Sequence, residues 1–397
     1  MSAGLAIVTV QFRRTNSDAM NFSKGAIFPS EHRIQIDEQT GARVHQLTDH
    51  PSINHPTYFL HSSFVPDQKT LIFTSYRTCE AQLFEAAFPD GEIRQLTGGP
   101  AIHPFSPAIA PGGQTVYFVR GGEIWRIDRA SLEEQLVAGG LGQLGECSLS
   151  ADGEWFVAAA KREDEWGILS GNVSEAEIGF ISFPRTVIHP QFSPLDREWI
   201  EFAGDPAPRM YRVRRDGTDM DLLYDHGNDE FVVHETFLGS TGDLVFTVWP
   251  KALKRMSWHN GEISTIADFN AWHISPNRAG TKVLCDTNHP DIGLQLVDVA
   301  TGRRDTICLS GASSQGTQWK KSRYALAGDW AAAAAASERN KVLSWMEMAT
   351  DSVYGPQWTH PHPSFSPDET MVAFASDRTG HTQVYVAEIP DRLLEKS

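Results

Sequence analysis

A chain of 397 residues, 41% hydrophobic and 21% charged, has the composition of a globular protein and a length that suits a closed repeat fold better than one continuous core. No apolar stretch is long enough to span a bilayer, so no membrane partner is expected. A formal net charge of −16, with no basic block to offset it, excludes nucleic acid as the partner and means that an anionic ligand would need local cations, arginines or a metal ion.

In chain order, the apolar run Leu5 to Val10 has no basic residues before it, which is the wrong order for a secretory signal. Met20 would serve as a start, so residues 1–19 are expected to be a disordered extension and 20–397 a single domain. The four cysteines, Cys79, Cys147, Cys285 and Cys308, lie far apart in no CxxC pattern. They read as free, buried thiols in a reducing compartment, and hence a cytoplasmic protein.

A repeat then organises the chain: a short apolar strand, a small-Pro-Asp/Gly turn and a second strand. It appears at Ser63-Phe64-Val65-Pro66-Asp67, at Ala108-Ile109-Ala110-Pro111-Gly112 and at Ser148-Leu149-Ser150-Ala151-Asp152. Further copies start at Gln191, Thr236, His273 and Ser364. The turn positions Pro66, Pro111, Ala151, Pro194, Ser240 and Pro276 are separated by 45, 40, 43, 46 and 36 residues. A period of about 40–45 residues is that of a four-stranded propeller blade, and seven copies predict an all-β, seven-bladed β-propeller. Residues Ile34 to Leu47 are expected to supply an outer strand that closes the ring on the last blade. One interval, the 91 residues from Pro276 to Pro367, breaks the period. It holds six alanines, Ala331 to Ala336, and predicts a short helical insertion over 324–348 before the last blade; a degenerate eighth blade is the alternative.

Histidine recurs just before the turn signature: His55 and His61, His103, His189, His234, His273, then His360 and His362. In a propeller these positions begin the innermost strands, which converge on one channel mouth. A histidine there can cap the neighbouring blade, the simpler role for His103 and His189. His360 and His362, two apart on an extended strand, would aim their rings into one space. With the amide of Gln357 upstream they suit a borderline divalent metal such as manganese, iron, nickel or zinc. His55, His61, Tyr58 and Arg77 cluster at the first blade and are candidate substrate contacts. Trp272, Trp319 and Trp358 could stack on sugar rings or simply fill the core. No Gly-x-Ser-x-Gly elbow and no Gly-x-Gly-x-x-Gly fingerprint is present.

From about Met20 to Leu394, and most densely at Thr359-His360-Pro361-His362-Pro363-Ser364-Phe365 and Ser376-Asp377, the sequence resembles the oligogalacturonate lyases, a seven-bladed polysaccharide lyase family. The spacing Gln357-x-x-His360-x-His362 matches that family's metal motif, and the resemblance implies His273 as the fourth ligand and manganese as the metal. It also implies His234, followed by Glu235, as the Brønsted base. Arg209, in Pro208-Arg209-Met210-Tyr211, would be the substrate-binding arginine, and Lys161-Arg162-Glu163-Asp164 is a further family-like fragment. Departures cluster at the presumed sugar-binding rim: Thr236 follows Glu235 where an aromatic is usual, His55-Pro56-Thr57-Tyr58-Phe59-Leu60-His61 is histidine-rich, and the alanine-rich insertion is long.

The implied reaction is metal-dependent β-elimination in a small anionic 4-linked oligouronide, oligogalacturonate, giving a 4,5-unsaturated uronate. A same-fold lyase for another uronate, such as a glucuronate-bearing glycan, and a non-catalytic interaction propeller are the rival readings.

Overall fold

The computed structural model describes residues 23–314, apart from 68, 176 and 228, and residues 357–394. The expected extension at 1–19, the helical insertion at 324–348 and Trp319 lie outside them.

The described strands form seven antiparallel sheets, as the repeat predicts. Blade one runs Asn54–Pro56, Thr70–Ser75, Gln82–Ala87 and Ile93–Gln95 from the inside out, with Ile27–Phe28 added at its edge. The first strands of blades two to six are Ala108–Ile109, Gln143–Leu149, Thr186–Phe192, Phe231–Phe237 and Ala271–Pro276. Blade seven starts at Ser364–Phe365. Helix among the described residues is confined to two 3-10 turns and the short segment Asp391–Leu394.

The recurring Asp explains the turns. Asp67 Oδ1 accepts from the backbone N–H groups of Lys69 and Thr70, and Asp152 and Asp368 accept likewise from Glu154 and Thr370. A carboxylate bonding the backbone two residues on fixes each tight turn without a neighbouring strand.

The second strands are buried on both faces: every residue of Leu71 to Ser75 is buried, which needs an apolar, β-branched run rather than alternation. The core is accordingly a ring of layers between blades. Val65, Ile72 and Phe118 join blades one and two, Val157, Phe192 and Phe202 join three and four, and Leu284, Phe374 and Tyr385 join six and seven.

The ring closes as expected on residues 34–47, through a hairpin rather than one strand. Asp37 accepts from the N–H groups of Gln39 and Thr40 and turns the chain, so Arg43–Gln46 pairs with Gln383–Glu388 and Arg33–Ile36 lies outermost. Val44 of this hairpin is fully buried between blades, whereas Ile34 is 50% exposed. Val44→Asp would place an unpaired charge in that layer and is expected to cost about 4 kcal/mol or more, while Ile34→Asp should stay within about 0.5 kcal/mol. Urea midpoints of the two variants check the closure; equal midpoints would refute it.

All four cysteines are free, but only Cys147, Cys285 and Cys308 are buried. Cys79 is exposed because it sits in the turn between the second and third strands of blade one, with φ of 72°.

Candidate active site

The innermost strands of blades three to six share a defect. Their pairing slips by one residue between Leu144 and Cys147, Ile188 and Gln191, Val233 and Thr236, and Ala271 and Ile274. Each slip is a β-bulge, which re-aims a side chain. The residues inside these bulges are Glu146, His189, His234 with Glu235, and Trp272 with His273. His189 and His234 take φ values of 57° and 56°, and His362 of blade seven takes 45°. Left-handed backbone at a non-glycine residue costs about 1–3 kcal/mol and gathers at functional sites. Here it turns three imidazoles into the channel.

The extended-strand premise for His360 and His362 is not how the two are placed. Gln357–Thr359 is a 3-10 turn, the His360 N–H bonds the Gln357 carbonyl at 3.0 Å, and His362 is left-handed. Their rings still lie near-parallel with centroids 6.1 Å apart.

Histidines of blades five, six and seven meet in one buried space. The His273 ring is 3.8 Å from that of His362, 4.3 Å from His234 and 5.4 Å from His360, centroid to centroid. Trp272 closes one side, its ring edge-on at 4.4 Å from His234 and its indole N–H donated to His360 Nδ1 at 3.0 Å. Trp272 is therefore a wall of the site and 1% exposed, not a stacking platform for sugar. Burial first, and the neighbouring imidazoles second, push His234, His273 and His362 well below the usual histidine range. All three are neutral near pH 7, the form that binds metals and accepts protons.

Three imidazole nitrogens of the cluster lack a hydrogen-bond partner, one of them His234 Nδ1. His273 pairs through Nδ1 with Asp286 at 2.8 Å, which leaves Nε2 without one. His362 Nε2–H donates to the Gln357 carbonyl at 3.0 Å, which leaves Nδ1 without one. The Gln357 amide lies against the His273 ring. Behind His273, burial pushes the Asp286 carboxyl up to about 8; a bound cation would draw its proton off and gain a counter-charge. A carboxylate orienting a ligating histidine is the usual support of a metal site. No three His, Cys, Asp or Glu side chains among the described residues form a ready-made ligand set. The fit to a divalent metal rests instead on the partnerless nitrogens of His273 and His362, the neutral amide and Asp286.

Arg209, expected to be the substrate-binding arginine, is held between two buried carboxylates. It is 3% exposed, with Nη1 bonded to Asp205 and Nη2 to Glu235 Oε1 at 3.2 Å. Burial alone would raise Glu235, but Arg209 and a hydrogen bond from His189 hold its carboxyl well below the usual range. His189 continues the network, with Nδ1 at 3.3 Å from Glu235 and Nε2 at 2.9 Å from the Tyr58 hydroxyl. Arg209 thus braces the bulge that presents His234.

The first-blade candidates part company. Residues 57–62 run down the channel and plug it. Tyr58 packs on His362 at 5.0 Å and Phe59 on His234 at 5.2 Å. His55 stacks on Phe105 at 4.7 Å, with Nδ1 bonded to the Pro56 carbonyl. His61 comes out at the opposite mouth, bonded to the Cys147 carbonyl and lining a cavity of about 490 Å³ with Pro66, Pro111, Pro276 and Pro367. Arg77 is turned away onto Glu31 at 3.0 Å, its guanidinium between Phe28 and Phe84. Of this group only Tyr58 and His55 approach the histidine cluster.

The comparisons with known proteins bear on this arrangement. An oligogalacturonide lyase of Pectobacterium atrosepticum is 22% identical over 93% of the chain and 99% of its own length. An oligogalacturonate lyase of Dickeya dadantii is 23% identical over 91% of the chain and 97% of its own. Over nearly its whole length the chain is similar, at low identity, to these two lyases. A solved oligogalacturonate lyase in complex with manganese superposes with a TM-score of 0.78 at 20% identity, covering 94% of the chain and all of that lyase. The oligogalacturonate lyase of Vibrio parahaemolyticus gives 0.75 at 19% identity over 93% of the chain. These likenesses fix the seven-bladed fold. No protein-family model matches the chain.

Proposed function

We propose that this chain is a metal-dependent lyase that cleaves oligogalacturonate by β-elimination, leaving a 4,5-unsaturated uronate. The observation that carries this reading is the meeting of neutral histidines from three blades, each blade contributing one open nitrogen, in the fold of lyases that act on this substrate. His273, His360, His362 and Gln357 would hold the metal, with manganese the first choice. When bound, it would neutralise the substrate carboxylate and stabilise the charge that develops on it.

The protein's own residues supply the rest. His234 takes the C5 proton, which is alpha to the carboxylate; its buried, neutral imidazole has Nδ1 open to receive it. Glu235, held by Arg209 and His189, keeps the bulge rigid so that the His234 ring does not wander. Trp272 and Phe59 wall that ring from water. The departing O4 takes a proton from solvent. No helix among the described residues is long and apolar enough to cross a membrane, and the free cysteines support a reducing, cytoplasmic setting.

The test is the ultraviolet absorbance of the conjugated product on incubation with di- and trigalacturonate. A rise with manganese that a chelator abolishes and manganese restores is expected. No rise on any oligouronide, in a protein that binds no divalent metal, would sink the reading.

A further inference from the structure

The second strand of blade six, Lys282–Thr287, turns alternate residues to opposite faces. Val283 and Cys285 pack with Leu238 and Val245 of blade five, whereas Leu284 packs with Val372 and Phe374 of blade seven. Asp286 shares the face of Leu284. It accepts from the N–H and Nδ1–H of His273 and, across the seam, from the N–H of His362. Asn288, the next residue in that alternation, directly follows the strand and stands about 7 Å beyond Asp286, toward the mouth where the histidines meet. Its neighbour ties this level to blade seven. His289 Nε2–H donates to the Ser314 carbonyl at 2.7 Å, and the Ser314 N–H bonds the carbonyl of Thr359, the residue before His360, at 3.2 Å.

Asn288 is 0% exposed, as are His273 and His360. Among the described residues it is the only side-chain amide with neither Oδ1 nor Nδ2 hydrogen-bonded. Buried asparagines with a structural task in this protein are saturated. Asn54 bonds the carbonyls of His50 and Ser52 and the side chains of Gln383 and Ser75. Asn277 holds its turn through Thr281, Lys282 and Glu369. The blade-six turn does not need the Asn288 amide either, because Asn270 Nδ2 fixes it by donating to the Asn288 and Pro290 carbonyls at 2.7 and 2.8 Å. An amide left unpaired in the interior is costly and uncommon, which is the pattern of a group kept for a ligand.

The donor and the acceptor together select that ligand. A metal ion would use only Oδ1, and a carboxylate only Nδ2–H. Two neighbouring hydroxyls satisfy both, one donating and the other accepting. In an internal 4-linked uronate whose carboxylate sits against His273 and His362, O4 and the anomeric oxygen are in glycosidic links. O2 and O3 remain as the free vicinal pair, across the ring from the carboxylate. We infer that Asn288 is a specificity residue that reads O2 and O3 of the uronate being cleaved, so that a unit acylated or deoxygenated at either position is refused. The inference rests on the lyase reading. On acylated oligouronides, an ester hydrolysis that frees these hydroxyls would then have to come first.

The experiment measures kcat/KM on digalacturonate and on analogues lacking O2 or O3 in the reducing-end unit, the one whose C4–O4 bond breaks. The proteins are the wild type, Asn288→Ala and the nearly isosteric Asn288→Leu, each with manganese. The wild type should refuse each deoxy analogue by about 10- to 100-fold, the effect of leaving a buried polar atom unpaired. Both variants should lose a similar factor on digalacturonate and no longer distinguish the three compounds. Their manganese affinity should be unchanged and their urea midpoints no lower than the wild type's, since the amide bonds nothing in the free protein. A wild type that cleaves all three alike, or variants that lose manganese affinity, overturn the assignment. Variants of lower midpoint that keep the discrimination overturn it too, because the amide would then be satisfied by water inside the fold. If no compound is cleaved the lyase reading fails by itself, and calorimetric binding of the same three compounds decides. Tighter binding of digalacturonate that both variants equalise supports Asn288, and equal binding, or none, refutes it.

Discussion

Replacing His234 by alanine or asparagine is expected to lower kcat on oligogalacturonate by about 10²–10⁴, the range a positioned general base contributes. Manganese affinity should change little, because His273, His360, His362 and Gln357 remain. Asparagine is the sharper variant: it tolerates left-handed backbone better than alanine, and residue 234 has φ of 56°. Both variants losing activity alike, with asparagine the more stable, would separate chemistry from strain. Activity within tenfold of wild type in both would mean that another group takes the proton.

Arg209→Met is expected to be the most destabilising single change at the site. It leaves Asp205 and Glu235, both buried, without their cation. Removing one partner from a buried ion pair costs about 3–5 kcal/mol. The sign of its pH dependence follows from Glu235. In the wild type its folded pKa lies below the unfolded value, so the stability it contributes is present above that unfolded value and is lost as pH falls through the folded one. The gap between variant and wild type should therefore be widest near neutral pH and narrow in acid, where the orphaned carboxylates protonate. Urea unfolding at several pH values measures it. A gap that is small at pH 7, or constant with pH, would contradict the buried network, and loss of substrate binding with stability intact would return Arg209 to the role of a substrate clamp.

The blade count was legible because each turn carries its own local signature, with Asp67 and its counterparts bonding backbone two or three residues away. The convergence of His234, His273, His360 and His362 was legible for the same reason: a repeat puts equivalent positions at one mouth. What the sequence hid depends on neighbours distant in the chain. Asp286, thirteen residues beyond His273 on the next strand, carried no signal. The partners of Arg209 could not be read from Arg209. The bulges were hidden too, since one extra residue in an inner strand is invisible without its partner's register. His61 lies apart from the cluster because a segment that descends through the channel carries successive residues to opposite faces, and Arg77 because the blade-one turn carries it onto Glu31.

The closing hairpin has a consequence for how the protein comes to be made. Arg43–Gln46 emerges from the ribosome before blades one to six, yet its partner Gln383–Glu388 emerges only after them. Until then the N-terminal strands have an open edge and blade seven does not exist. His360 and His362 belong to that late blade, and the backbone strain at His362 is tolerable only once packing surrounds it. On the proposed reading, metal affinity and ring closure would be one event. A chain still missing blade seven would then neither bind metal nor expose a half-formed base, and uptake of manganese would report a completed circle.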